Sequence, residues 1–395
     1  MSTTKPCGQL ADGVSKLASI TSLVAATAVS QAFGRFTYSV LYIEIRDDFD
    51  LSNTLAGSIG SLNLVGYLLG SLLVAYAIGD LGLVRTARHG LLGVIIGLLL
   101  LTWAPNMAVV TFALFLTGLA AAGVWVTAPA LATKILGVEK QGLAVGWVTA
   151  GVGLGFFFAC VFDAALQTWR SVYQIEALLG ITTFALLYLT IKTSEAKSSQ
   201  SGISPAALRQ IPGWLNLCLT YGLFAIAASL TLTFSAALLE DDAGFKEQSA
   251  SLVFALIGLG LALGGPTVGW LADRIGRKAT QLASLASLIA SCVLITTGLP
   301  FVAPAGTLLF GIAFTGVVVN ITTKVSSHLD GEAFGAAYAV LTIVFAAGLA
   351  VGPQLGGIIA DSSGSFRPAL LLSAACGCCA LCLTFKDLDL ADRNR

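Results

Sequence analysis

Twelve apolar runs, each about as long as a membrane-spanning helix, dominate this chain of 395 residues. A spanning helix needs about 20 predominantly apolar residues. The runs fall at 17–43, 54–79, 88–104, 107–133, 141–166, 171–192, 211–239, 248–272, 279–299, 301–323, 333–360 and 366–386. Only 11% of the residues are charged and 56% are hydrophobic, whereas soluble domains carry about 25% charged residues. No water-facing core holds that much apolar surface. Backbone in lipid must also satisfy its own hydrogen bonds, which helices do segment by segment. The expected fold is therefore an all-α integral membrane protein with twelve transmembrane helices.

The longest polar interruption, Thr193 to Gln210, falls at the middle of the chain and is rich in Ser and Lys. It reads as a linker (193–210) between a six-helix half at 17–192 and another at 211–386. Short tails, 1–16 and 387–395, flank them. Arg46, Arg170, Lys246 and Arg367 fall in or at the edge of alternate loops and Arg35 deep within the first run; every other basic residue falls in, or at a run end beside, the tails, the linker or the remaining loops. The positive-inside rule then puts both termini in the cytoplasm. The opposite loops are acidic, with Glu44, Asp47, Asp48 and Asp50 in one and Glu240, Asp241, Asp242 and Glu247 in another. The halves echo one another. Asp80 and Asp273 each close a second span, and Asp163 with Trp169-Arg170 recurs as Asp361 with Phe366-Arg367.

The loop after the eighth run reads Gly269-Trp270-Leu271-Ala272-Asp273-Arg274-Ile275-Gly276-Arg277-Lys278. This G-x-x-x-D-R-x-G-R-K pattern resembles the loop signature of the major facilitator superfamily (MFS) of transporters. The resemblance implies two pseudo-symmetric six-helix halves with a substrate site between them at mid-membrane. It also implies alternating access and residence in the cell's inner membrane. Asp273 would face the positive dipole end of the fifth helix, while Arg274, Arg277 and Lys278 pair with it or with helix-end carbonyls. Gly269 and Gly276 would permit the close approach and the turn. Such a loop can latch the cytoplasmic side shut. The first-half copy keeps Asp80 and Arg85, but Tyr76 and Leu81 stand where the pattern has glycine and a basic residue. Gly34-Arg35-Phe36-Thr37-Tyr38 resembles the G-R-F-x-Y stretch of the bacterial YbfB/YjiJ-like branch of the same superfamily. The run Gly348 to Gly357, with Pro353 inside it, is read as close packing with a bend.

Arg35 is the sharpest single candidate. It sits deep in the first run, where an ionisable side chain is costly and turns to a cavity or a partner. Thr27, Gln31, Arg35 and Tyr38 share helical spacing, which predicts one polar inward face. A guanidinium there suits bidentate capture of an anionic group; the alternative is that it snorkels outward to Glu44 or another carboxylate. Asn63, Tyr67, Trp125, Trp147, Asn216, Tyr221, Asn320 and Tyr338 are further polar or aromatic residues within runs, read as candidate cavity lining against the blander role of helix packing. Asp163 and Glu176 are the candidates for proton coupling. The eight cysteines, four of them at 376, 378, 379 and 382 within the last run, behave as small hydrophobes there.

The chain is thus expected to move a small organic solute, with an anion favoured by Arg35. The rivals are a proton-coupled exporter of hydrophobic or cationic compounds and a transporter-like sensor that moves nothing. No cofactor, metal site or nucleic-acid partner is expected. No G-x-x-x-x-G-K-[ST] sequence points to ATP hydrolysis. A monomer in the bilayer, with a small molecule as partner and a coupling proton where transport is proton-linked, completes the expectation.

Overall fold

The computed structural model describes residues 7–137, 141–166, 168–192, 204–329 and 331–393. Among these, twelve helices are long and apolar enough to cross a membrane. They are Lys16–Val40, Asn53–Ile78, Leu83–Thr102, Met107–Leu136, Leu143–Ala165, Trp169–Thr190, Trp214–Asp242, Glu247–Gly265, Arg277–Thr296, Ala303–Ser326, Ala336–Ser363 and Arg367–Lys386. The expected runs match them span for span. The third helix begins at Leu83 rather than 88, because Arg85, Arg88 and His89 lie within its first turns. Ordinary helix propensity tolerates those residues where lipid does not reach. The outer helices also run past the apolar stretches. The first starts at Cys7 and the last reaches Arg393, so parts of both expected tails are helical. The rest of those tails, and most of the linker, lie outside the described residues.

Successive helices alternate in direction. One end of the bundle, here the linker end, holds the turns at Gly82 and Gly276 and the segment joining the halves. The distal end holds the acidic loops. Polar caps begin the first-half helices that start distally: Ser52, Asn106 and Thr168 each accept a hydrogen bond from a backbone N–H three residues on, which satisfies donors a helix start leaves free. At the linker end Gly82 (φ 75°) and Gly276 (φ 81°) turn the chain from one helix into the next.

Across the seam between halves the second span packs on the eleventh and the fifth on the eighth. Small residues make this possible. A Cβ on Gly57 would sit 2.3 Å from Pro353 O, and one on Gly357 would sit 2.4 Å from Asn53 O. A Cβ on Gly153 would likewise lie 2.6 Å from Gly258 O. The glycine-proline run at 348–357 is thus a packing device for the seam. The four-cysteine cluster lies along one helix, with Cys378, Cys379 and Cys382 exposed on its outer surface.

Candidate functional site

The first span is not a regular helix. From Ala28 to Phe36 it is a π-helix, flanked by α-helix on both sides. Such wide turns occur mostly at functional sites. The change of pitch breaks the single polar face expected from α spacing. Thr27 turns to the fifth span, where its hydroxyl donates to Val148 O at 3.0 Å. Gln31 and Arg35 turn instead toward the fourth and second spans.

Arg35 is 7% exposed and sits between the halves. Its Nη1 donates to Gln31 Oε1 at 2.7 Å. Gln31 is held in turn by Ala121 O, which accepts from its Nε2 at 3.0 Å. The guanidinium lies flat on Tyr67, 3.7 Å from the ring centroid. Nε and Nη2 are buried without a hydrogen-bond partner. No carboxylate comes within ion-pair distance of Arg35 among the described residues; Arg46 pairs with Asp47 and Asp241, and Arg170 with Asp48. The expected alternative, outward snorkelling to Glu44, is not what the side chain does. A buried cation normally demands compensation, and here the ring and one amide supply only part of it.

Arg35 lines a small cavity shared by both halves, with Tyr38, Gly60 and Leu64 on one wall and Ser229, Thr233 and Pro353 on the other. The hydroxyls of Ser229 and Thr233 were not legible as candidates, since Ser and Thr are common in apolar helices.

The other candidates separate into groups. Tyr38 lines the cavity, but its hydroxyl is committed to Ala56 O at 2.7 Å. Asn63 uses its amide on Gly34 O, Leu114 O and Thr117 Oγ1. It ties three spans together rather than facing a solute. Tyr221 stacks on Phe345, with centroids 4.6 Å apart, within a cluster that includes Phe224 and Phe314. Tyr338 accepts from Thr322 Oγ1 at 3.0 Å. Asn320 donates to Gly316 O on its own helix, and Trp125 packs against the core. Trp147 is 49% exposed, and Asn216 is half-buried near the linker end.

Distal to Arg35, aromatic rings close the seam. Tyr42 is fully buried, edge-on to Phe234 and Phe366 of the other half, and Phe156 meets Phe254 with centroids 5.1 Å apart. Polar bridges lie beyond them. Arg46 Nη1 donates to Asp241 at 2.8 Å, Asp361 accepts from the backbone N–H groups of Asn53 and Thr54, and Ser251 Oγ donates to Asp163. Glu176, fully buried, accepts from Thr37 Oγ1 at 2.6 Å. Asp163 and Glu176 are therefore both buried carboxylates, but only Asp163 stands at the seam. One oxygen each of Glu44, Asp163 and Glu247 lie within 4.8 Å of one another. Burial first, then contact with Glu247 and the charge of Asp163, pushes Glu44 up to about 9.

At the linker end, Arg274, Gly276, Arg277 and Lys278 are exposed around the turn after Ile275. The side chain of Asp273, and the surroundings of Gly269, lie outside the described residues. The two turns reveal an offset. Gly82 and Gly276 share a conformation, with ψ 163° and 156°. Asp80 precedes its glycine by two positions, while Asp273 precedes its own by three. Gly79, not Asp80, is in register with Asp273.

Residues 27–385 match the model of a family described as the uncharacterised MFS-type transporter YbfB. A Pseudomonas aeruginosa protein named transcription regulatory protein OpdE is 24% identical over 89% of each chain. The gentisate transporter of Corynebacterium glutamicum is 22% identical, over 84% of this chain and 78% of its own. Among solved structures, a bacterial homologue of the human lysosomal transporter Spinster, inward-facing and unoccupied, superposes with a TM-score of 0.76 over 97% of each chain at 17% identity.

Proposed function

Since the chain belongs to the family of MFS-type transporters described by YbfB, and is a transporter rather than an enzyme, we propose that its cargo is a small organic anion held by Arg35. The observation that carries this reading is the buried guanidinium with Nε and Nη2 unpartnered on the wall of a cavity between the halves. Those two donors are adjacent on the planar fork, the geometry a carboxylate takes bidentately. Tyr67 beneath the guanidinium keeps it in place without neutralising it. The gentisate transporter among the relatives, by its name, handles an aromatic carboxylate, and that chemistry suits such a donor pair.

The basic linker end lies in the cytoplasm with both termini, and the acidic distal end faces outward. The aromatic and polar closure at the distal seam then belongs to a state shut to the outside. Rocking of one half on the other would open that seam while the Asp273–Lys278 loop latches the cytoplasmic side. The protein works as a monomer, and Asp163 and Glu176 supply protons if transport is proton-linked. The regulatory name of OpdE supports a second reading, a sensor that binds the same anion and moves nothing.

Thermal shifts of the purified protein against carboxylates, sugars, amino acids and organic cations test the anion reading. A carboxylate should stabilise the wild type and lose its effect in Arg35→Ala. Stabilisation by cations or neutral solutes that survives Arg35→Ala would sink it. Uptake of the stabilising ligand into proteoliposomes separates carrier from sensor.

A further inference from the structure

We propose that Glu44, Asp163 and Glu247 share protons across the seam between the halves, and that the distal seam closes only when this cluster is protonated. The three carboxylates come from both halves: Glu44 from the short helix Tyr42–Asp48, Asp163 from the fifth span and Glu247 from the start of the eighth. They meet only because the halves are together. Asp163 is 4% exposed and its Oδ1 has no hydrogen-bond donor. Glu44 Oε1 is also buried and without a donor. Carboxylate oxygens this close repel one another unless a proton lies between them.

Among the described residues, the surrounding groups supply no compensating cation. Arg46 is engaged by Asp47, Asp241 and Asn53. Glu240, at the distal end of the seventh span, adds a further acid beside Arg46, Asp163 and Glu247. Glu176, Tyr173 and Cys160 face the cluster from the sixth and fifth spans, and Lys246 is exposed at the loop. Ser251 donates one hydrogen bond to Asp163.

The repeat-related residue makes the contrast. Asp361 stands in the second half where Asp163 stands in the first, and it too reaches into the other half. It is met there by two backbone N–H groups and a hydroxyl at a helix start, which favour a negative charge. Asp163 accepts from the Ser251 hydroxyl but, among the described residues, from no backbone N–H, and it gains two carboxylate neighbours. One brace of the seam is built for an anion and the other for a proton.

The sign follows from Glu44, raised from 4.5 to about 9 in the closed seam. Parting the halves removes its neighbours and returns it toward the ordinary carboxylate range. Closing therefore takes up a proton from water at the distal side, and opening gives it back. The contribution of Glu44 to closure is complete below about 4.5 and is lost as pH rises through about 9.

The test is a pulsed-EPR distance across the distal end of the full chain in lipid nanodiscs. Spin labels replace Trp103 and Phe301, which are exposed on opposite halves, through a ketone-bearing amino acid that leaves the native cysteines untouched. With chelator present, the short-distance population should fall as pH is raised from 5 to 10. Glu44→Gln/Asp163→Asn/Glu247→Gln should hold the short distance at every pH. Glu247→Gln alone, at the exposed edge and least disturbing to folding, should lower the midpoint by about one pH unit. A closed population independent of pH in the wild type would overturn the proposal, as would wild-type pH dependence in either variant. Closure at pH 10 restored by calcium or magnesium would also overturn it, in favour of a metal ion.

Discussion

Asp163 and Asp361 brace the distal seam in opposite directions, each from the fifth span of its own half to the second span of the other. Asp163 accepts from Ser251, and Asp361 accepts from Thr54. The acceptors are 198 positions apart and the donors 197, so the repeat that builds the halves also builds a reciprocal pair of struts. Both lie beyond the aromatic layer of Tyr42, Phe234 and Phe366. The seam is thus shut twice, by rings that exclude water and by polar bridges whose strength depends on charge.

Replacing Asp361 by Asn should weaken closure without altering the fold. The amide keeps one acceptor for the Asn53 and Thr54 donors but loses the charge that complements the helix start. In an exposed setting the loss is about 1 kcal/mol, roughly fivefold in the closed-to-open ratio. The Trp103–Phe301 distance distribution measures it. An unchanged distribution would mean the strut is ornamental.

Tyr67 should matter for its ring and not for its hydroxyl. The guanidinium of Arg35 lies 3.7 Å from that ring's centroid, and a desolvated cation–π contact is worth about 2 kcal/mol. Tyr67→Phe should bind the stabilising anion as the wild type does. Tyr67→Leu should bind it roughly 30-fold more weakly, read by titration calorimetry. Equal losses in both variants would assign the hydroxyl to the site instead.

Much of this was legible in the sequence, for a physical reason. Spans and turns are local features, written in runs of neighbouring residues. Arg35 could be singled out because a charge inside an apolar run has few explanations. What it faces could not, since the π turn from Ala28 to Phe36 rotates Thr27 away from Gln31 and Arg35. Asn63 shows the same limit: a polar residue in a span is equally a lining group or a tie, and only its three partners decide. The Glu44–Asp163–Glu247 cluster was hidden entirely. Its members come from separate segments, and two of them read as ordinary acidic loop residues until the halves meet.

Gly57→Ala should act as a wedge. Its new Cβ would meet Pro353 O, a backbone atom, at 2.3 Å, so the second and eleventh spans must part. Overpacking of this kind costs about 1–3 kcal/mol, charged only to the closed seam. The variant should populate the longer Trp103–Phe301 distance at pH 5, where the wild type is short. A stable closed state in Gly57→Ala would show that the helices slide rather than separate.

The two linker-end turns should respond alike to their glycines and differently to their aspartates. A Cβ at Gly82 or Gly276 meets nothing within 4 Å, so alanine at either costs only the backbone strain of a conformation essentially reserved for glycine, about 1–3 kcal/mol, seen as similar losses in melting temperature. The aspartates are another matter. The first-half turn is one residue shorter after its acid, which swings Asp80 about a quarter-turn around its helix relative to Asp273. Asp80 therefore leaves its helix on a different face from the position in register with Asp273. Asp273→Asn should disfavour the state closed at the linker end, read as faster labelling of a cysteine placed at Trp147 under saturating ligand, while Asp80→Asn leaves that rate within about twofold, the span of a surface charge change. Equal effects at both positions would restore a symmetric latch and make the offset of the turns irrelevant to gating.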